Sequence, residues 1–142
     1  PETLYRRPNS KKVADFIGTM NFVPATVLSE SGDKVEVDAK GLGHVTIDAS
    51  MAPPPKGESP VVGLRPETLT LLYDDQKAAE RETEGVIDEV IYFGDMTYYD
   101  VYLGGTDVEV RLSMRNVPGR PVLDVGTKVR VAWSPSALVL FR

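Results

Sequence analysis

The chain contains no cysteine and a single histidine, His44. Disulfides and thiolate metal sites are therefore excluded, and a transition-metal site would have to be built without the usual nitrogen and sulfur ligands. Any nucleophile–histidine–acid triad would need that same His44. The Gly-x-Ser-x-Gly elbow that often presents a nucleophilic serine is missing. No glycine-rich phosphate loop ending in Lys-Ser or Lys-Thr occurs anywhere, so the usual means of gripping a nucleoside triphosphate is lacking. No apolar stretch approaches the roughly 18 residues needed to span a bilayer, and the N-terminus has no apolar signal-peptide core. A cationic surface is lacking as well. Sixteen Lys and Arg face twenty-one Asp and Glu, for a formal charge of −5. The basic residues are scattered, which argues against a nucleic-acid partner, since phosphate binding needs a basic stripe.

What is present is a 142-residue chain rich in short apolar alternations, with 12 glycines and 11 prolines between them. This length suits one domain with a real core. Residues Asn9 to Gly18 carry Val13, Phe16 and Ile17 at helical spacing, with Asn9 or Ser10 as N-cap and Gly18 as stop. From Asn21 the period becomes two. Phe22 to Ser29 reads as a strand, and Ser31-Gly32-Asp33 as a hairpin turn. Val35 and Val37 alternate with Glu36 and Asp38, and Val45 and Ile47 with His44, Thr46 and Asp48. Ala52 to Pro60 holds four prolines in nine residues and reads as a loop. Val61 to Leu64 reads as a buried strand ended by Pro66, and strand character resumes over Thr68 to Leu72. Asp74 to Glu84 is charged and reads as a mobile surface loop, with room for one helical turn at Lys77 to Glu80. Further strands are expected at Val86–Phe93, Tyr98–Leu103, Val108–Leu112, Lys128–Ala132 and Leu138–Phe141, with Gly104-Gly105 at a tight hairpin. The pattern predicts an all-β, OB-like barrel or sandwich with one short N-terminal helix. Strand, hairpin and alternating strand occur near Phe22–Ile47 and again near Val86–Leu112, a hint of duplication.

Candidate chemistry is sparse. Gly41-Leu42-Gly43-His44 reads as a hairpin, and His44 as an exposed residue on a polar strand face. Asp88-Glu89 interrupts an otherwise apolar strand, which suggests a bulge or an edge covered by a partner. Tyr92, Phe93, Tyr98, Tyr99 and Tyr102 lie within eleven residues. By alternation Tyr98, Asp100 and Tyr102 share one face. That face suits stacking, cation–π attraction to an organic cation, or plain strand packing. Arg65 and Glu67 flank Pro66 at a corner where they would pair locally or across a subunit boundary. The candidate interface or ligand face is therefore Arg65, Glu67, Tyr92, Tyr98, Asp100 and Tyr102. No catalytic, cofactor-binding or metal-binding residue is assigned.

Five segments in order then carry a family resemblance. They are Pro1-Glu2-Thr3-Leu4-Tyr5-Arg6-Arg7-Pro8; Val13 to Gly18 followed by Asn21-Phe22; Gly63-Leu64-Arg65-Pro66-Glu67; Gly85 to Gly94; and Gly126 to Leu140 with Trp133 and Pro135. Together they cover nearly the whole chain. The sequence resembles the C-terminal transport-associated OB (TOBE) domain of ATP-binding subunits of ABC importers. Tyr98, Val101-Tyr102-Leu103 and Trp133-Ser134-Pro135 lean toward the polyamine (spermidine/putrescine) type rather than the sugar-importer type. Iron and thiamine importers carry similar tails, and an iron, thiamine or sugar importer ATPase is the alternative source. The resemblance implies that residues 1–20 are the tail of an ATPase domain plus a linker helix, and 21–142 a regulatory, dimerising domain. The chain begins at Pro1, as expected of a fragment. Implied partners are its own ATPase domain, a second copy in a homodimer, and membrane subunits reached through the ATPase domain. ATP and Mg would belong to that missing domain. The implied location is the cytoplasmic side of the inner or plasma membrane. The alternative is a small OB module that binds a cation or oxyanion. The loops Ala52–Pro60 and Asp74–Glu84 match no family pattern.

Overall fold

A computed structural model of the chain describes residues 20–142. The expected helix over Asn9 to Gly18 lies outside the described residues. The regular structure of the remainder is almost entirely antiparallel strand, as the period-two pattern requires. β1 (Asn21–Ser31), β2 (Lys34–Ala39) and β3 (Gly43–Asp48) form a meander. β4 (Val61–Leu64) pairs with the opening residues of β1, and β5 (Thr70–Leu72) follows after a short 3-10 turn, Pro66–Thr68. The pattern then recurs. β6 (Arg81–Phe93), β7 (Met96–Leu103) and β8 (Glu109–Arg115) form a second meander. β9 (Lys128–Trp133) pairs with the opening of β6, and β10 (Val139–Phe141) follows a second 3-10 turn, Pro135–Ala137.

The duplication hinted at in the sequence is thus a duplication of topology. β1 gives its first residues to β4 and the rest to β2; β6 divides itself in the same way between β9 and β7. Each long strand carries a bulge, between Val27 and Ser29 in β1 and between Ile87 and Glu89 in β6. Asp88 is the extra residue of the second, so the charge interruption marks a bulge in a central strand rather than a free edge.

The two halves exchange their fifth strands. β5 leaves the first half and pairs with β9; β10 leaves the second and pairs with β4. The resulting sheets run β10-β4-β1-β2-β3 and β5-β9-β6-β7-β8. Each exchange turns on a proline corner. In Arg65-Pro66 and Ser134-Pro135 the proline holds the preceding residue extended (ψ 145° and 132°) and opens a 3-10 turn at its first position. Pro66–Thr68 packs against β8 and Pro135–Ala137 against β3, bringing the far edge of each sheet round toward closure. Leu69 and Leu71 beyond the first corner, and Leu138 and Leu140 beyond the second, are all buried. One continuous apolar cluster runs through both sheets, from Val23, Val37 and Ile47 to Tyr99, Leu112 and Trp133.

Polar clasps tie the sheets at related points. Asn21 opens β1. Its amide Nδ2 donates to the Arg111 carbonyl at 2.8 Å, and its Oδ1 accepts from the Arg111 N–H at 2.8 Å, so it pairs with the edge of β8 as a strand would. Arg81 opens β6. It donates to the carbonyls of His44 (3.1 Å) and Leu42 (3.2 Å) beside β3, and lies 4.6 Å over the Trp133 ring.

The segment Asp74–Glu84 departs from expectation. Arg81 to Glu84 already belong to β6, because Glu82 and Glu84 face out while Arg81 and Thr83 turn partly inward. Their charge conceals a period of two. The preceding turn is held rather than free. The Arg130 guanidinium donates to the carbonyls of Asp74 (2.7 Å) and Gln76 (2.8 Å).

If the exchanged strands carry the fold, Leu71→Ala and Leu140→Ala should each lower stability by about 2–5 kcal/mol, the usual cost of a leucine cavity in a core. Urea denaturation measures this. An unchanged midpoint for either would mean that its strand is ornamental.

Candidate functional site

Alternation along β7 sends Tyr99, Val101 and Leu103 into the core and Tyr98, Asp100 and Tyr102 to the other face. Antiparallel register adds a cross-strand row to each. Tyr98 lies between Ile91 and Ser113, Asp100 between Glu89 and Arg111, and Tyr102 between Val86 and Glu109. The three β7 residues predicted to share a face therefore do so, but they are not equally available. Tyr102 is 39% exposed and Tyr98 half-buried, whereas Asp100 has no exposed surface at all.

Asp100 is occupied by Arg111. Nε donates to Oδ1 at 2.7 Å and Nη2 to Oδ2 at 3.0 Å, a two-pronged pair in which both side chains are buried. Burial works against the guanidinium's charge, but the bonds and charge of Asp100, with Glu89 and Glu109 nearby, outweigh it and raise the Arg111 pKa above its ordinary value. Asp100 therefore stabilises the sheet from within and cannot contact a partner or ligand. The other predicted residues are spread apart. Tyr92 and its neighbour Phe93 are exposed at the tip of the β6–β7 hairpin, where Gly94 takes a φ of 65°. Arg65 and Glu67 are exposed on the proline corner beside β8.

Several features escaped the sequence reading. Arg111 sits between buried Val110 and Leu112, and only the strand register shows that it faces Asp100. On the outer face of the first sheet, Phe22 and Phe141 meet edge to face with centroids 6.0 Å apart, and Gly63 leaves room for the side chains of Met20 and Phe141, which a Cβ there would strike. His44 lies where alternation puts it, half-exposed, with Nε2 at 2.5 Å from Glu36 Oε1. Gly41 and Gly43 take φ of 92° and 89° in the β2–β3 hairpin, which accounts for that glycine pattern without a phosphate. Among the described residues, no group of three or more His, Cys, Asp or Glu converges on a point.

Asp100→Ala should cost about 3–5 kcal/mol, because it leaves Arg111 buried without its counter-charge. The double variant Asp100→Leu with Arg111→Met should recover most of that loss in the same denaturation experiment. A mild effect of the single variant would show that Asp100 is more accessible than its burial indicates.

Comparison with known proteins places this geometry. The model of a family described as TOBE domain matches residues 62–141, more than half the chain, from within β4 to the end of β10. The spermidine/putrescine import ATP-binding protein PotA of Pseudomonas aeruginosa is 38% identical over 135 residues, covering 94% of this chain and 37% of that protein. Its namesake in Chromobacterium violaceum is 33% identical over 138 residues, with the same coverage. The putrescine transport ATP-binding protein PotG of Escherichia coli is 28% identical over 145 residues, covering 99% of this chain and 37% of that protein. The chain thus spans little more than a third of the length of these relatives. Among solved structures, the cytoplasmic molybdate-binding protein ModG superimposes with a TM-score of 0.59 at 14% identity, over 86% of this chain and 94% of that one. That likeness is one of fold.

Proposed function

The chain belongs to the TOBE domain family, and on that premise we propose that it is the accessory, non-catalytic domain of an ATP-binding subunit that drives import of polyamines such as spermidine and putrescine. The observation that carries this reading is the 38% identity to a spermidine/putrescine import ATP-binding protein along 94% of the chain. The sequence supplies no phosphate loop. ATP and Mg are handled by an ATPase domain elsewhere in the subunit, which docks on membrane subunits from the cytoplasmic side. This domain adds a second point of association between two such subunits. A lasting contact between accessory domains keeps two ATPase domains at high effective concentration while they open and close. Anything that prefers one arrangement of the pair then biases the motor through linkage.

The contact uses the outward aromatics of the second sheet. Tyr98 and Tyr102 on β7 supply rigid, amphipathic area of the kind that dominates interfaces, whereas Tyr92, paired with Thr97, takes the other face of the hairpin and Arg65 and Glu67 stand apart on the proline corner. Asp100 anchors the strand beneath Tyr98 and Tyr102.

Deleting the region that encodes this chain in its host should abolish or sharply reduce uptake of radiolabelled spermidine or putrescine. Normal uptake of both, with loss of uptake of some other solute, would replace the polyamine assignment. Tyr98→Ala combined with Tyr102→Ala should weaken self-association about tenfold or more, as truncation of interface aromatics does. Sedimentation equilibrium across a concentration series measures it, and unchanged association would remove this face from the contact.

A further inference from the structure

The internal duplication makes each half a reference for the other. The second half carries a groove of about 1010 Å³ between the β6–β9 pair, the Gly104-Gly105 turn and the loop Pro118–Pro121. Its apolar lining includes Leu72 and Val86, with the core residue Val129 beneath. Its rim carries Arg120, Lys128 and Arg130 against Asp74 and Glu84, an excess of positive charge in a chain whose net charge is −5.

The cations differ in how they are engaged. Arg130 is committed to the carbonyls of Asp74 and Gln76 and to Glu82 at 3.4 Å. Arg120 lies 5.9 Å from the Tyr73 ring centre and donates to the Arg115 carbonyl. Lys128 is exposed, stands opposite Val86 on the neighbouring strand, and makes no ion pair among the described residues. Tyr73 adds no negative charge. Burial first, then the nearby Tyr99 hydroxyl, pushes its pKa to about 12, so the phenol stays neutral, with its hydroxyl donating to the Pro121 carbonyl at 3.4 Å.

The strand pairing itself does not require a cation at positions 128 and 130, although Arg130 also holds the Asp74–Gln76 turn. Val62 pairs with Val23 on the opening of β1 as Val131 pairs with Thr83 on the opening of β6, so Lys128 and Arg130 correspond to Ser59 and Val61. In the first half these positions are a neutral polar residue ahead of β4 and the apolar residue that opens it.

We propose that this groove binds a small organic anion, with its charged group at Lys128 and Arg120 and its apolar body on Leu72 and Val86. An apolar floor with a few converging polar groups is the usual make-up of a small-molecule site. A groove of this volume is larger than a bare tetrahedral oxyanion needs, so the apolar part contributes to recognition. The site lies beyond the polyamine reading. The charge it favours is opposite to that of a polyamine, which makes the ligand an effector rather than cargo.

The test is a ¹⁵N–¹H NMR titration of the chain with phenyl phosphate, with inorganic phosphate and spermidine as comparison probes. The expected result is saturable shifts confined to the amides of residues 72–76, 84–86, 104–105, 119–120, 123 and 127–130, with weaker binding of inorganic phosphate. Lys128→Gln, an exposed substitution that leaves the core intact, should weaken phenyl phosphate binding about fivefold or more, the scale of one lost charge contact. Shifts that are scattered or fail to saturate, an unchanged affinity in Lys128→Gln, or tighter binding of spermidine at these residues would each overturn the proposal. Equal affinity for inorganic phosphate would overturn the role of the apolar floor. None of these outcomes depends on which solute the parent importer carries.

Discussion

The exchange of fifth strands at two proline corners is the constraint on which the rest of this structure depends. At Pro66 and again at Pro135 the chain is held extended, makes a single 3-10 turn, and crosses into the other half. β5 and β10 have three residues each, too few to persist alone. Their leucines nevertheless complete the core of the sheet they enter. Each half therefore lacks a strand until the other is in place. This physical reason favours one cooperative unit over two small barrels joined by a linker. Asn21 and Arg81, at the head of each long strand, reinforce it by reaching across to the opposite sheet.

Electrostatics within the second sheet follow from the same arrangement. Asn21 completes the backbone pairing of Arg111 on the edge strand β8, and Arg111 in turn neutralises Asp100 on β7. A buried pair of this kind is weak evidence for stability in itself, since desolvation offsets most of the Coulombic gain. What it does is fix register, because a one-residue slip of β8 would leave both charges buried and unpaired. Fixed register places Tyr98 and Tyr102 on the outer face in a defined spacing. The contact proposed between two copies needs that rigidity.

Much of the architecture was legible in the residues. The period of two, the glycine and proline punctuation and the charge interruption at Asp88 carried the strands, the hairpins and the bulge. Arg81 to Glu84 were misread because their alternation is written in charge rather than in apolar residues. Asp100 was misplaced for a different reason. Alternation tells which face a residue takes but not whether that face is covered, and Arg111, eleven positions away, becomes its partner only through the register of β7 and β8. The exchange of β5 and β10 was beyond reach for the same cause, since strand order is a long-range property that local patterning does not encode. The positive groove shares that difficulty, as Lys128 and Arg120 belong to separate segments with nothing local to join them.

The account of the fold rests on this being a single interlocked body and not two independent modules. Urea unfolding tests it most directly. Trp133 fluorescence reports the second sheet, and the NMR amide signals of Val37 and Val45 report the first. Interlocked halves must lose both sets of signals at one midpoint, as a two-state domain does. Survival of either sheet after the other has melted would show that the strand exchange does not couple them, and would contradict the account.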